Sequence, residues 1–221
     1  MALNVAFRFF VIALTALSLS PCFASQWQTW HKTSDLEISF LTHESGINYI
    51  EVNARFHGVT VNALLNVLDD TDNAPKWLSR SRSVEAIARP TSAQAIVYTY
   101  FDSPWPVRDR DMLTHSCLSQ LSEMQYRLDI VSTQRYHVPK SNALRISPVK
   151  GFWLLTQTPT ELKVKHQIYA NPNGSLPHWL INSTALKSIR SSFKALKTVL
   201  QNPKYHGLES YFVAGDCDDF S

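Results

Sequence analysis

The sequence predicts an α+β protein in which a curved antiparallel sheet packs around one long C-terminal helix. Between residues 36 and 170 the chain contains many short segments of alternating apolar and polar residues, the pattern of half-buried strands. After residue 177 the apolar residues recur every three or four positions, which is typical of an amphipathic helix. Many strands followed by a single long helix favour a sheet that buries its apolar face against that helix.

The strand-rich part of the chain is expected to begin with a short helical segment at residues 27–33. A hairpin follows, with strands at residues 36–41 and 48–56 joined by a Ser-Gly turn. A short helix is predicted at residues 61–68 because its leucines have helical spacing. The remaining predicted strands cover residues 84–88, 95–101, 110–118, 125–131, 144–146, 152–156 and 162–170.

The long helix is predicted to follow the turn sequence Asn-Pro-Asn-Gly at residues 171–174. Ser175 is a candidate N-cap, and Pro177 suits the first turn of a helix, where its missing N–H is not needed. The apolar stripe of the helix consists of Leu186, Ile189, Phe193, Leu196 and Leu200. A strip of basic residues borders that stripe and consists of Lys187, Arg190, Lys194 and Lys197.

The N-terminal residues have the three-part pattern of a secretory signal peptide. Arg8 precedes an apolar run that ends in small residues, which predicts cleavage after Ala24. We therefore expect a signal peptide at residues 1–24, one mature domain at residues 25–221 and export to the periplasm. The alternative is a protein anchored by the uncleaved N-terminal segment, although its apolar run is shorter than the ~20 residues that span a membrane.

Composition excludes several classes of function. The chain is 44% hydrophobic and 18% charged, with a formal net charge of +3, a balance that lacks the clustered basic face of nucleic-acid-binding proteins. It contains no Gly-x-Ser-x-Gly, His-Glu-x-x-His or Cys-x-x-Cys motif, so serine-hydrolase, zinc-protease and zinc-ribbon interpretations have no support. We expect no cofactor, no metal and no nucleic-acid partner.

Two cysteines remain once the predicted signal peptide and its Cys22 are removed. Cys117 and Cys217 are a candidate disulfide pair if the protein enters an oxidising compartment. Such a bond would close a loop of about 100 residues and contribute roughly 4–5 kcal/mol through loop-closure entropy. The alternative is a buried strand thiol at Cys117 and an unpaired thiol in the tail at Cys217.

Two longer stretches carry a resemblance to a known family. The first reads Ser-Pro-Trp-Pro-Val-Arg-Asp-Arg-Asp at residues 103–111, where two prolines require a connection rather than a central strand. The second reads Asn-Pro-Asn-Gly-Ser-Leu-Pro-His-Trp-Leu-Ile-Asn at residues 171–182. With Trp77 upstream, these stretches resemble the START (StAR-related lipid transfer) domain family, most closely its phosphatidylcholine-transfer branch. The resemblance implies a helix-grip (START/Bet v 1-like) fold, whose sheet and C-terminal helix enclose a hydrophobic tunnel for one lipid. Together with the predicted signal peptide, it suggests an exported bacterial member of the family.

The same resemblance suggests which residues contact the lipid. Arg110 falls on one member of the family's Arg-Asp pair, and Thr99 and Met112 fall on the tunnel wall. The chain departs from the choline-binding branch at Ala74 and Leu78, which replace an arginine and an aspartate, and at Thr99 and Met112, which replace aromatic residues. The charge pair of the sterol branch is likewise replaced by Val97 and Ser116. For Arg110 the alternative is a salt bridge that holds the Pro-Trp-Pro connection.

Strand and helix periodicity adds further candidates for the lipid site. Thr114 and Ser116 share one strand face with Met112, and His166 lies on the apolar face of the last strand. Trp179 and Asn182 belong to the first turns of the long helix, where a polar group could meet a lipid headgroup. The alternatives are a core histidine at 166, since a lone inward histidine more often serves packing, and an Asn182 that caps a neighbour.

We therefore expect a monomeric lipid-binding protein that carries or holds one phospholipid, fatty acid or sterol-like molecule. The basic strip would rest on anionic headgroups during loading; the alternative is a solvated outer face. Two other functions remain open. A cavity enzyme, a cyclase or hydrolase, would need an acid or base, for which His166 or His115 with Asp129 are the candidates. A lipid sensor without transfer activity would have the same sequence features.

Overall fold

The computed structural model describes residues 26–136, 138, 141–207, 209–217 and 220. The predicted signal peptide, residues 1–24, lies outside them. The described residues form two α-helices, α1 (Val61–Asp69) and α2 (His178–Val199), and two 3-10 helices, Thr71–Lys76 and Pro203–Tyr205. The strands are β1 (Gln28–Lys32), β2 (Leu36–Thr42), β3 (Asn48–His57), β4 (Ser81–Ala88), β5 (Gln94–Phe101), β6 (Arg110–Ser122), β7 (Gln125–Ser132), β8 (Leu144–Arg145), β9 (Val149–Gln157) and β10 (Glu161–Ala170).

The strands form one sheet, which confirms the predicted α+β class. Nine of them lie in the order β1-β2-β3-β10-β9-β7-β6-β5-β4, with every neighbouring pair antiparallel. The short β8 pairs with β6 in parallel. Because β10 returns beside β3, the last strand lies inside the sheet, and the chain leaves it directly into α2. The long helix is thereby delivered to the inner face, as the helix-grip arrangement requires.

The helical segment predicted at residues 27–33 is wrong, since this segment forms β1. Gln28 lies opposite Phe40 and Lys32 lies opposite Glu37 on β2. An isolated helix of this length is marginal in water, whereas pairing with β2 supplies hydrogen-bond partners along one edge of the segment. Thr29 and Trp30 also have the residue types that strands favour.

The predicted apolar stripe of α2 is confirmed and faces the sheet. Leu186, Phe193, Leu196 and Leu200 are buried, and Ile189 packs against the same core while remaining partly exposed. The N-cap is Pro177, which makes no side-chain capping bond, so the expectation that Ser175 caps the helix is wrong. Within the described ranges, no helix combines the length and the apolar character needed to cross a membrane.

The interior between α2 and the sheet differs between its two ends. At one end the inward side chains of the central strands are at most 4% exposed; they are Leu118, Leu128, Leu155 and Leu162. Helix α1 joins the same core through Leu64 and Leu65. At the other end several inward side chains remain partly exposed although they point at the helix; they are Val97, Met112, Ile130 and Ile168. We call these the dense end and the open end, and the candidate functional site lies at the open end.

A C-terminal tail, residues 209–217, crosses the outer face of the sheet. The Val213 N–H donates to the Ser92 carbonyl, and the Gly215 N–H donates to the Leu118 carbonyl. Cys217 forms a disulfide with Cys117, which is fully buried on β6. Since the bond links residues 100 positions apart, it closes almost half of the chain into one loop.

Loss of this disulfide is expected to destabilise the protein substantially. The double variant Cys117→Ala/Cys217→Ala should lose about 4–5 kcal/mol of unfolding free energy, because the unfolded chain regains the freedom of the large loop. Urea unfolding with and without reductant provides the measurement. Reductant should lower the unfolding free energy of the parent and leave that of the double variant unchanged. Equal unfolding free energies for the two proteins without reductant would contradict this account.

Candidate functional site

A cavity of about 170 Å³ lies between α2 and the open end of the sheet. Strand residues, the turn between β2 and β3, the connection after the first 3-10 helix and the first half of α2 all contribute to its wall. All the side chains that line it among the described residues are uncharged, and most are apolar. They are Ile47, Asn48, Ile50, Leu78, Ser79, Phe101, Ile168, Ala170, Ile181, Asn182, Ala185, Ser188, Ile189 and Ser192.

The mouth of this cavity is located by residues that line it and also line a hollow on the outside. Ser79 and Ser188 belong to both, and the outer hollow continues to Trp179 and Lys187. The mouth therefore lies between α2 and residues 77–80. It is closed by a hydrogen bond in which the Ser79 N–H donates to the Ser192 hydroxyl oxygen at 2.9 Å.

One wall of the cavity is the turn between β2 and β3, which Asn182 holds against α2. The Asn182 amide nitrogen donates to the Gly46 carbonyl at 2.9 Å, and its side-chain oxygen accepts from the Asn48 N–H at 3.0 Å. Gly46 has φ +80°, and a Cβ atom there would lie 2.3 Å from Nδ1 of His178. Asn182 was predicted to contact lipid; the structure places it in the cavity wall with its amide bonded to the main chain.

Arg110 was predicted to contact lipid, and the structure instead uses it to join the two stretches that carry the family resemblance. Its guanidinium donates to the carbonyls of Pro172 at 2.8 Å and Asn173 at 3.2 Å, and also to the Arg108 carbonyl. The residue is 7% exposed, and this burial lowers the pKa of Arg110 from its ordinary value. Arg110 thus holds the Pro-Trp-Pro connection, but through main-chain carbonyls rather than through the salt bridge of the alternative prediction.

The neighbouring Asp111 belongs to a separate buried network on the outer face of the sheet. Arg145 donates to its carboxylate at 2.6 Å and 3.1 Å, and Tyr98 and Ser141 each donate to it at 3.1 Å. Burial acts to raise the pKa of Asp111, but the hydrogen bond and charge of Arg145 outweigh it, so the pKa is lowered. Arg110 and Asp111 therefore anchor two different segments. Arg110 anchors residues 171–174, and Asp111 anchors residues 141–145.

His166 points inward as predicted and lies in an aromatic layer. Its ring stacks on Trp153 with centroids 4.2 Å apart, and Phe193 of α2 stacks on the same tryptophan at 5.5 Å. Nδ1 of His166 lies 3.0 Å from the Phe152 carbonyl, so Nδ1 carries the proton. Burial lowers the pKa of His166 to about 4, which leaves the ring neutral at pH 7. The structure thus corresponds to the alternative prediction of a core histidine.

The aromatic layer divides the interior. On β10, His166 lies between Val164 on the side of the dense end and Ile168 on the side of the open end. The layer of Trp153, His166 and Phe193 therefore lies between the two ends. The layer consequently occupies the space through which a long tunnel toward the dense end would run.

The four strand residues predicted to line the site lie on the inner face of β5 and β6, but none of them lines this cavity. Thr99, Thr114 and Ser116 are less than 10% exposed, and Met112 is partly exposed. The hydroxyls of Thr114 and Ser116 donate to the Val97 and Ala95 carbonyls. Trp179, by contrast, is 71% exposed and lies on the outer rim of the mouth. The sequence-based site omitted most of the apolar cavity wall, including Leu78, Phe101, Ile181 and Ala185, because aliphatic residues carry no signal that separates a cavity wall from a packed core.

The predicted basic strip lies on the outer side of α2 and divides into two parts. Lys197 pairs with Asp35 at 2.9 Å, and Arg190 donates to His31 at 3.3 Å, so these residues tie the helix to β1 and the loop after it. Lys187 lies at the mouth of the cavity, whereas the exposed Lys194 lines the same surface hollow as Arg190 and Lys197.

The candidate groups for catalysis do not converge. His166 faces α2, whereas His115 and Asp129 lie on the outer face of the sheet. His115 contacts Gln94 at 3.0 Å and the ring of Phe220, and Asp129 forms an ion pair with Arg127. Within the part of the chain that the structure describes, no group of three or more His, Cys, Asp or Glu side chains is placed to hold a metal ion.

The fold and the two anchored stretches agree with comparison to known proteins. The START domain family matches residues 27–205, which is most of the chain. The chain belongs to the START domain family. It is 23% identical over 188 residues to the phosphatidylcholine transfer protein of Mus musculus, a match that covers 82% of this chain and 86% of that protein. The C-terminal tail and Cys217 lie beyond the family match.

Other relatives match over shorter segments. An uncharacterised protein of Pseudomonas aeruginosa, PA1579, is 25% identical over 136 residues, which cover 60% of this chain and 66% of the relative. START domain-containing protein 10 of Homo sapiens is 26% identical over 142 residues, which cover 62% of this START chain and 49% of the relative. The chain thus spans just under two thirds and about half of the lengths of these two proteins.

Solved structures show the same START fold. A STAR-related lipid transfer protein from Xanthomonas axonopodis superposes with a TM-score of 0.72 at 22% identity, covering 80% of this chain and 99% of that one. Human STARD10 gives a TM-score of 0.71 at 19% identity, with coverages of 81% and 75%. These superpositions confirm the predicted helix-grip fold. Two of the proteins compared, the phosphatidylcholine transfer protein and the Xanthomonas axonopodis protein, are named for lipid transfer.

Replacement of Arg110 is expected to destabilise the START fold. Arg110→Ala should cost about 2–4 kcal/mol of unfolding free energy, because several buried carbonyls lose charged donors at once. Arg110→Lys should restore little, since a lysine lacks the planar fork that reaches carbonyls on two segments. Urea unfolding measures the change, with the exposed Arg55→Ala as the matched control. Equal stability of the Arg110→Ala and Arg55→Ala variants would contradict the anchoring function.

His166 is expected to make stability depend on pH. Because burial lowers its pKa from 6.5 to about 4, the unfolded chain binds the proton first as the pH falls. Stability is fully present above pH 6.5 and should decline by about 3 kcal/mol on acidification to pH 4. His166→Phe keeps an aromatic ring and cannot titrate. Unfolding free energies between pH 7 and 4 should fall less steeply for this variant; parallel profiles for the two proteins would refute the prediction.

Proposed function

We propose that this START protein binds one hydrophobic molecule in the cavity beneath α2 and carries or holds it without changing it chemically. The observation that carries this proposal is the cavity itself, which lies between a long helix and a sheet and is lined by uncharged side chains. Each methylene transferred out of water is worth about 0.8 kcal/mol, so such a wall is sufficient to retain an alkyl chain. The similarity to proteins named for lipid transfer supports the same proposal.

The cavity must widen to accept its ligand. Its volume of about 170 Å³ is below the ~300–1,000 Å³ typical of small-molecule sites. The Ser79–Ser192 hydrogen bond is a neutral contact that crosses the mouth, and its rupture costs about 0.5–1.5 kcal/mol. Breaking this hydrogen bond therefore costs far less free energy than the burial of an alkyl chain in the cavity contributes.

Loading from a membrane is proposed to occur at the rim of the mouth. Trp179 is 71% exposed and Trp105 in the Pro-Trp-Pro connection is 92% exposed. Trp179 lines the same hollow as Arg80, and the connection that carries Trp105 begins at Asp102, whose N–H donates to the Arg80 carbonyl. Exposed tryptophans suit the interface of a bilayer, and Arg80 and Lys187 beside them suit anionic headgroups.

Export to the periplasm is proposed from two independent features. One is the signal-peptide pattern of residues 1–24, and the other is the Cys117–Cys217 disulfide, since disulfides persist in oxidising compartments. A monomer is the proposed state of the mature protein.

Filling the cavity is expected to abolish ligand binding. The neutral dye N-phenyl-1-naphthylamine fluoresces on entering an apolar site and serves as the probe. Ala185→Phe places a ring inside the cavity and should weaken dye binding about tenfold or more, because a close-packed wall cannot absorb the added volume. Thr198→Phe adds the same ring on the exposed side of α2, away from the cavity and its mouth, and is the matched control. Unsaturable dye binding by the parent, or equal affinities of the two folded variants, would refute the proposed function.

Removal of the rim tryptophans is expected to weaken membrane association. The double variant Trp105→Ala/Trp179→Ala should bind vesicles of phosphatidylcholine with one quarter phosphatidylglycerol at least about tenfold more weakly, because the apolar area buried in the interface is lost. Leu121→Ala/Met124→Ala removes exposed apolar residues at the dense end and is the control. Vesicle co-sedimentation gives the affinities; equal losses for the two double variants would contradict loading at the mouth.

A further inference from the structure

We infer that the cavity selects an uncharged ligand with a single apolar chain or ring system, carrying at most a hydroxyl or a carbonyl group. This inference rests on the proposed function and names the chemical class of its ligand. It excludes a buried phosphate or carboxylate.

The first argument is the charge of the wall. None of the described residues that line the cavity is Lys, Arg, His, Asp or Glu. A phosphate or carboxylate placed among them would lose its hydration without gaining a counter-charge, which is among the most unfavourable transfers in protein interiors. An alcohol or carbonyl group loses far less hydration free energy on burial, and one hydrogen bond to the wall can offset that loss.

The second argument is that the nearby cations are already used. The guanidinium of Arg110 donates to main-chain carbonyls of four residues, and Arg145 is paired with Asp111. His166 is neutral and lies within the aromatic layer. Lys187 lines the outer hollow rather than the cavity. A charged head group within the cavity therefore has no cation to pair with.

The third argument is space. The cavity measures about 170 Å³, and the layer of Trp153, His166 and Phe193 blocks its extension toward the dense end. Two long acyl chains would require both the mouth and this layer to be displaced. A single chain or ring system requires only the mouth to open.

The hydrogen-bonding groups of the wall suit such a ligand. The Ser192 hydroxyl accepts from the Ser79 N–H and keeps its own proton as a donor. The hydroxyls of Ser79 and Ser188 line the cavity near the mouth. A hydroxyl both donates and accepts, so it can satisfy an alcohol or a carbonyl oxygen but cannot neutralise a charge.

Competition among three ligands with the same alkyl chain tests the inference. Bound N-phenyl-1-naphthylamine is displaced at pH 8 by 1-dodecanol, dodecanoate or dodecylphosphocholine, each below its micellar concentration. We expect 1-dodecanol to bind at least about 100-fold more tightly than either charged ligand, because only the head group differs. Comparable displacement by dodecanoate or dodecylphosphocholine, or no displacement by 1-dodecanol, would overturn the inference while saturable dye binding leaves the proposed function standing. Failure of the dye to bind would instead count against the proposed function.

A variant that supplies the missing charge provides a second test. Ala185→Lys places an ammonium group at the cavity wall, and Ala185→Met adds a side chain of similar length without charge. Relative to 1-dodecanol, dodecanoate should bind at least about tenfold more tightly to the lysine variant than to the methionine variant. Identical selectivity of the two folded variants would show that wall charge does not set ligand class. Should the lysine variant not fold, the three-ligand comparison on the parent protein decides.

Discussion

The buried guanidinium of Arg110 is the constraint on which the position of α2 depends. A buried cation must find acceptors, and here the acceptors are main-chain carbonyls at Arg108, Pro172 and Asn173. The last two lie a few residues before the start of α2 at His178. Arg110 on β6 therefore sets where the chain leaves the sheet and where the long helix begins. The same group also binds the Arg108 carbonyl at the end of the Pro-Trp-Pro connection, which carries the exposed Trp105.

The remaining contacts of α2 explain why a cavity persists beside it. Asn182 holds its first turns to the turn between β2 and β3, while Leu196 and Leu200 anchor its last turns in the dense end. Between these anchors the helix presents small or short side chains, including Ala185, Ser188 and Ser192. A helix held at both ends cannot collapse onto the sheet to fill the gap that small residues leave. The cavity is thus a consequence of anchoring combined with small side chains.

The sequence predicted the fold more completely than the site. Strand alternation and the stripe of α2 each depend on local periodicity, which a sequence shows directly. The strand β1 was missed because its pairing with β2 is a tertiary effect that outweighs local preference. Periodicity also assigned inward faces correctly for Met112, Thr114 and His166, since it depends on the pleat alone.

The partners of polar side chains could not be predicted in the same way. Arg110 and Asn182 were expected to meet lipid, yet both bond to main-chain groups, and every residue has a main chain, so the sequence gives no sign of such a partner. Aliphatic wall residues such as Leu78 and Ile181 look the same in sequence whether they line a cavity or fill a core. The resemblance to START domains identified the stretches that matter, and the structure showed that they act as anchors around the site.

The central claim is that the cavity beneath α2 holds one intact hydrophobic molecule. Native mass spectrometry of the oxidised protein comprising residues 25–221, after incubation with vesicles of a total lipid extract, tests it most directly. The account predicts one bound molecule per chain, recovered unchanged on organic extraction and absent from the cavity-filled Ala185→Phe variant. A parent protein that retains no molecule, or that returns a chemically altered one, would contradict the account.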